Sequence, residues 1–173
     1  MQGGSAVDPL YIQAGLIFPY VNNVAVYRCP ADHTVYPLGN SNGRPRVRSM
    51  SMNCWMDPLD IWDTSAAPGV NIFKRATDIN NPSTSMAFVF IDENPSSIDD
   101  GYFAVNILKP NFWVNAPATY HNGAGGLSYA DGHAEIKKWT DTKVLGDSVG
   151  SNFASDPNSQ DWAWLDQRAT SKQ

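Results

Sequence analysis

Residues 119–139 read TYHNGAGGLSYADGHAEIKKW, and the pattern of this stretch decides what kind of fold surrounds it. Leu127 and Tyr129 precede an Asp131-Gly132 pair; Ala134 and Ile136 follow it. Period-two alternation about Asp-Gly predicts a β-hairpin, because a two-residue type I′ turn needs positive φ at both central positions. That turn would set Ala130 opposite His133, Tyr129 opposite Ala134, Ser128 opposite Glu135 and Leu127 opposite Ile136. Leu127, Tyr129, Ala134 and Ile136 would then share the core face, with Ser128, His133 and Glu135 on the other. Asp131 would accept hydrogen bonds from nearby backbone N–H groups. The hairpin accounts for Asp131 and Gly132. It leaves His121 unexplained, at the entrance to a loop containing Gly123, Gly125 and Gly126.

Upstream, TSMAFVFIDE (84–93) is an apolar run bounded by turn residues, the pattern of a buried central strand. GYFAVNIL (101–108) reads as a second strand, VRSMSMNCWM (47–56) as a third, and VAVYRCPAD (24–32) as a brief one. GLIFPYVNN is a short apolar turn or helix interrupted by Pro19, and KRATDI suits one helical turn. DPNSQDWAWLDQR carries a helix start, with Asp156 as N-cap, Pro157 in the first turn and Arg168 late. These readings predict an α+β fold: one domain over 1–173, with a twisted antiparallel sheet over 84–92, 101–108 and 126–138 and few short helices. Residues 1–14 are expected to be loosely ordered, 15–168 to form the body and 169–173 a tail.

Composition limits the function classes. At 173 residues, 42% hydrophobic and 12% aromatic, the chain can bury a core and is not disordered. Residues 1–86 hold six basic and six acidic groups, whereas 87–173 hold six and eleven, so the net charge of −5 sits in the second half. Nucleic acid is a poor partner for such a chain. The basic cluster, Arg44, Arg46 and Arg48 at period two, suits a solvated strand edge. No apolar run approaches the length of a bilayer span, and the first thirty residues lack the pattern of a signal peptide. Cys29 and Cys54 are either two buried thiols or a disulfide contributing about 3 kcal/mol.

Nine residues separate His121 from Asp131-Gly132, an H-x9-D-G pattern. Together with CPAD (29–32), RVRSMSMNCWM (46–56), FVFIDENPSSIDDGYF (88–103) and DWAWLDQR (161–168), it resembles the C-terminal domain of prepilin-like proteins with the H-x9-D-G motif, relatives of type II secretion pseudopilins. The blocks run in order from about Gly15 to Arg168. Cys54 departs from the pattern, standing where glycine is expected. The resemblance implies an α+β head in the cell envelope that contacts other pseudopilin-like or envelope proteins, with no settled catalytic activity. It also implies a basic leader and hydrophobic N-terminal helix ahead of the head. Residues 1–173 show no such helix, so the chain is expected to make no membrane contact.

Several sites are conceivable. Calcium takes six to eight oxygen ligands, and IDENPSSIDDG offers Asp92, Glu93, Asn94, Ser96, Asp99 and Asp100. Of these Asp92, Asn94, Asp99 and Asp100 are the candidate Ca²⁺ ligands, and the competing reading is a solvated turn. A zinc site from His121, Asp131, His133 and Glu135 ranks lower, since a hairpin tip faces water. A glycan-binding or glycan-hydrolysing protein needs paired carboxylates, for which Asp92, Glu93, Asp131 and Glu135 are the candidates, with Trp55, Trp62 and Trp113 as stacking surfaces. His121 is expected to be structural, its ring beside the hairpin and hydrogen-bonded to backbone or to a carboxylate from the 92–100 loop.

Overall fold

The computed structural model describes residues 6–37, 43–57, 69–141, 144 and 157–172. Within these, the expected α+β architecture is present: helices are few and short, and a five-stranded sheet forms the body. Two single-turn helices, α1 (Leu10–Gln13) and α2 (Phe18–Val21), lead into a 3-10 turn at Val24–Tyr27. A small ribbon pairs β1 (Val35–Tyr36) with β2 (Arg44–Pro45). The main sheet has β3 (Met50–Asn53), β4 (Phe88–Asp92), β5 (Tyr102–Phe103), β6 (Ala124–Tyr129) and β7 (Ala134–Lys138), in the order β5-β3-β4-β6-β7. The ten-residue helix α3 (Gln160–Ala169) follows. No helix among the described residues is long and apolar enough to cross a membrane.

β4 is the central strand, as its apolar run predicts. A bulge between Phe88 and Phe90 adjusts its facing. Phe88 pairs with Tyr129, Phe90 with Ser128 and Ile91 with Leu127. Phe88, Ile91, Leu127 and Tyr129 therefore all enter the core, while Phe90 and Asp92 look to the opposite face. The core is aromatic: Trp55, Phe103, Trp113, Trp139 and Trp162 are buried with Leu165 and Ala169 of α3. Each buried indole needs an acceptor. Trp55 Nε1 donates to the Val105 carbonyl (3.0 Å), Trp139 Nε1 to Ala118 (2.9 Å) and Trp162 Nε1 to Phe112 (3.1 Å). Asn53, fully buried, donates from Nδ2 to the Phe88 and Ala169 carbonyls and so joins β3, β4 and the end of α3.

The hairpin forms one residue out of the expected register. Ser128 pairs with Ala134, Leu127 with Glu135 and Gly126 with Ile136. The loop holds three residues, Ala130 to Gly132, closed by bonds from Tyr129 N–H to His133 O (2.9 Å) and from Gly132 N–H to Tyr129 O (3.0 Å). Only Gly132, at φ +94°, is left-handed, so the loop is of the three-residue kind and not type I′. A one-residue slip reverses a strand's faces. His133, Glu135 and Lys137 consequently share the side of Tyr129 and Leu127, while Ala134 and the 59% exposed Ile136 lie on the other. Tyr129 receives the His133 ring at 4.2 Å, and its hydroxyl donates to Glu135.

Other expectations change too. Residues 24–27 form a 3-10 turn, not a strand. Only Tyr102 and Phe103 of 101–108 are strand, and they pair parallel to β3, so the sheet is mixed at that edge. The N-cap of α3 is Ser159, whose Oγ accepts from Trp162 N–H (2.9 Å); Asp156 lies outside the described residues. Ala6, Val7 and Ile12 are buried, so the ordered body extends into 1–14. Arg46 and Arg48 do not line a solvated edge. Arg46 donates to the carbonyls of Pro95 (3.0 Å) and Ile98 (3.3 Å), and Arg48 to those of Met50 (2.7 Å) and Asp100. Three of these four carbonyls belong to the acidic loop and one, that of Met50, to β3.

Two glycines in β6 have packing reasons. A Cβ on Gly125 would lie 2.7 Å from the Ala118 carbonyl oxygen and 3.2 Å from Trp139 Nε1. On Gly126 it would meet Asp92 Oδ2 at 3.0 Å. Gly125→Ala should therefore lower unfolding free energy by about 1–3 kcal/mol through overpacking against backbone. Gly101→Ala, whose Cβ meets open space, should stay within about 0.5 kcal/mol. Urea titrations of the two variants compare them directly; equal costs would contradict the close approach at Ala118.

Candidate functional site

The end of β4 organises two polar groups on opposite faces. Glu93 points to the core side and is fully buried. Its Oε2 accepts from Ser51 Oγ; its Oε1 accepts from Ser97 Oγ (2.9 Å) and Asn115 Nδ2 (2.7 Å). Burial pushes this carboxyl up to about 7, against the opposing pull of the hydroxyl bonds and Arg48. The network joins β3, β4, the 94–97 turn and Asn115, whose Oδ1 accepts from Ala104 N–H (2.9 Å).

Asp92 turns to the other face. Its Oδ2 accepts from Gly126 N–H at 3.0 Å, an approach that the missing side chain at Gly126 permits. Burial raises the Asp92 carboxyl, while that N–H and His121 pull it back. His121 arrives because 116–118 runs beside 92–94: Asn94 N–H donates to Ala116 O (2.8 Å), and Ala118 N–H to Asp92 O (2.8 Å). A turn over 119–123 follows, with Asn122 (φ 55°) and Gly123 (φ 79°) left-handed. His121 Nε2 then lies 3.9 Å from Asp92 Oδ2. Its side chain is 35% exposed.

The third member is Cys29. Its backbone N–H donates to Ser49 Oγ (2.6 Å), and Ser49 also bonds Tyr27 O through its N–H (3.0 Å) and Glu93 N–H through its carbonyl (2.9 Å). Ser49 thus ties the 24–30 segment to the end of β4. Cys29 Sγ sits 3.3 Å from His121 Nε2. Burial pushes the thiol up, and Asp92 adds to the rise. Cys29 and Cys54 are both buried thiols, with no disulfide between them. Cys29, Asp92 and His121 bring one ligand atom each to within 4.8 Å of the others, the single such group of three His, Cys, Asp or Glu side chains among the described residues. Sequence reading found Asp92 and His121 but not Cys29, because 92 residues separate it from His121.

Elsewhere the sequence candidates disperse. Asn94 Oδ1 accepts from Ser96 N–H (2.9 Å) and Oγ (2.7 Å), Asp99 Oδ1 from Asp100 N–H (2.8 Å) and Asp100 Oδ1 from Tyr102 N–H (2.8 Å). Asp99 and Asp100 are exposed. These oxygens hold local turns, and Asp92 faces His121 instead of joining them. Asp131, at the hairpin tip, accepts from His133 N–H (3.1 Å) and pairs with His133 Nδ1 (2.5 Å), and that contact lowers its carboxyl.

Asp92 and Asp131 lie toward opposite ends of β4, with about 13 Å of strand between Asp92 and the Phe88–Tyr129 pair. Asp92 and Glu135 belong to opposite faces, since Glu135 pairs with Leu127 and Leu127 with Ile91. Neither combination suits a glycosidase pair. Trp55 and Trp113 are core residues, not stacking surfaces, and Trp62 lies outside the described residues.

A groove runs beside Asp92 and Cys29. It has a volume of about 610 Å³, with Met50, Phe90, Gly126, Ser128 and Ile136 on the sheet side and Ala25, Val26 and Pro30 opposite. Its lining is largely apolar, and Cys29 and Asp92 both border it.

Glu93 makes stability depend on pH. A carboxyl raised in the folded state holds a proton that the unfolded chain has already lost. Its stabilising contribution is full below the unfolded value of 4.5 and is lost as pH rises to about 7. The decline should amount to about 3 kcal/mol, at about 1.4 kcal/mol per pH unit. Urea denaturation at pH 4.5–8 in EDTA should show this slope in the parent and lose it in Glu93→Gln; an unchanged slope in the variant would contradict the assignment. Among known proteins no family model, no curated protein and no solved structure matches this chain.

Proposed function

We propose that the chain is the globular head of a pseudopilin-like protein of the cell envelope, working through protein contacts and not by turnover. The observation that carries this reading is the uncovered apolar face of the main sheet. Val26 is 55% and Ile136 59% exposed, and they flank half-buried Met50 and Phe90 in the open groove. Contiguous exposed apolar surface marks interaction sites in soluble domains. A groove with a sheet floor and apolar walls suits an apolar helix, read through side chains one turn apart.

The ordered sequence blocks resembling the H-x9-D-G prepilin-like proteins support the same role and name the partner class: an apolar helix of a pseudopilin-like protein. The carboxylates Asp92, Glu93, Asp131 and Glu135 are dispersed or locally engaged, which favours binding over glycan hydrolysis.

A synthetic apolar helix of the prepilin type, followed by fluorescence anisotropy, tests the reading. The purified chain should bind it, and Val26→Asp with Ile136→Asp should weaken binding at least tenfold, with circular dichroism unchanged. The same preparation should show no turnover on a glycan and ester panel. Equal affinity in the double variant would overturn the reading, as would steady turnover abolished by Asp92→Asn.

A further inference from the structure

The geometry points to a divalent transition-metal site at Cys29, Asp92 and His121, of the zinc class, with an open fourth position toward the groove. Zinc bonds of about 2.3 Å to sulfur and 2.0–2.2 Å to nitrogen and oxygen place tetrahedral ligand atoms about 3.4–3.6 Å apart. Here Sγ to Nε2 is 3.3 Å and Nε2 to Oδ2 is 3.9 Å, with all three atoms within 4.8 Å. The donors come from the 24–30 segment, the end of β4 and the 119–123 turn, and backbone bonds hold each one in place. Small rotations of the side chains would complete the coordination.

Two alternatives fit less well. In a Cys-His-Asp nucleophile the carboxylate orients the imidazole through the nitrogen away from the thiol. Asp92 and Cys29 instead approach the same nitrogen, Nε2. A single N–H at that atom cannot point along both directions, whereas a cation accepts both donors and the nitrogen lone pair. A hydrogen-bonded cluster without metal would leave one of the contacts poorly made.

The donor set selects the ion. Thiolate and imidazole disfavour calcium and magnesium, which take oxygen, and suit zinc or cobalt. On binding, the Cys29 S–H proton passes to solvent and sulfur bonds the metal; the Asp92 carboxylate and neutral His121 supply the other two bonds, with the imidazole proton on Nδ1. Cys29 and Asp92 both border the groove, so water or a groove-bound donor fills the fourth position. The site also clips together three segments that are distant in sequence. This inference is independent of the pseudopilin-like role.

The test uses the full chain, stripped with EDTA, dialysed and titrated with Zn²⁺ and Co²⁺. One equivalent of either should bind, and Co²⁺ should give a thiolate charge-transfer band with tetrahedral d–d bands. Zinc at about a hundredfold above its Kd should raise Tm by roughly 5–10 °C, and millimolar Ca²⁺ should not. Cys29→Ser should abolish the charge-transfer band, and His121→Gln should weaken zinc at least tenfold. His133→Gln should change neither property.

The half-exposed His121 keeps the test decisive if Cys29→Ser fails to fold, because the cobalt spectrum of the parent must still report one sulfur. No binding at one equivalent, a sulfur-free cobalt spectrum, or equal loss in His133→Gln would overturn the assignment.

Discussion

The alternation of side chains at the end of β4 is the constraint on which both halves of the molecule depend. Successive residues of a strand face opposite sides, so Glu93 must enter the core if Asp92 faces the groove. A carboxyl in the interior is tolerable only when its oxygens are satisfied. Ser51, Ser97 and Asn115 do so and, in the process, join β3, β4 and the loops that follow. The Asp92 carboxylate is thereby fixed on the other face, with Gly126 N–H on one oxygen. Glu93 belongs to folding, and Asp92 is left bordering the groove.

Backbone pairing at the same point brings the rest of the cluster together. The 116–118 segment bonds to 92–94 and delivers the 119–123 turn, while Ser49 bonds both Glu93 and Cys29. Tyr120 adds a hydroxyl bond to the Glu93 carbonyl at 3.1 Å. Three distant segments therefore meet at one place through main-chain contacts. The glycines of HNGAGG serve this meeting by letting Ala118 and Asp92 approach β6, not by cradling phosphate.

Much of this was legible in the residues, and the failures have physical causes. The central strand, the hairpin, the α3 region and the local role of Asp131 follow from periodicity and turn chemistry. The register did not, because Asp131-Gly132 also suits a three-residue loop in which glycine alone is left-handed. One added loop residue then exchanged the faces of β7. His121 was expected beside the hairpin, hydrogen-bonded to backbone or to a carboxylate of the 92–100 loop; Asp92 lies on that side, but at 3.9 Å, beyond hydrogen-bond distance. Its nearer neighbour, Cys29, was hidden because spacing rules for metal ligands see only local pairs. Arg46 and Arg48 misled for a related reason: the Pro95, Ile98 and Asp100 carbonyls that they bond lie about fifty residues away.

Anomalous diffraction at the zinc edge, from crystals grown with one equivalent of zinc, tests the central claim most directly. The account predicts a single strong peak between Cys29 Sγ, Asp92 Oδ2 and His121 Nε2, with Glu93 still bonded to Ser51 on the opposite face. A peak at the Asp131–His133 tip or at the 99–100 turn, with Cys29, Asp92 and His121 unliganded, would contradict it.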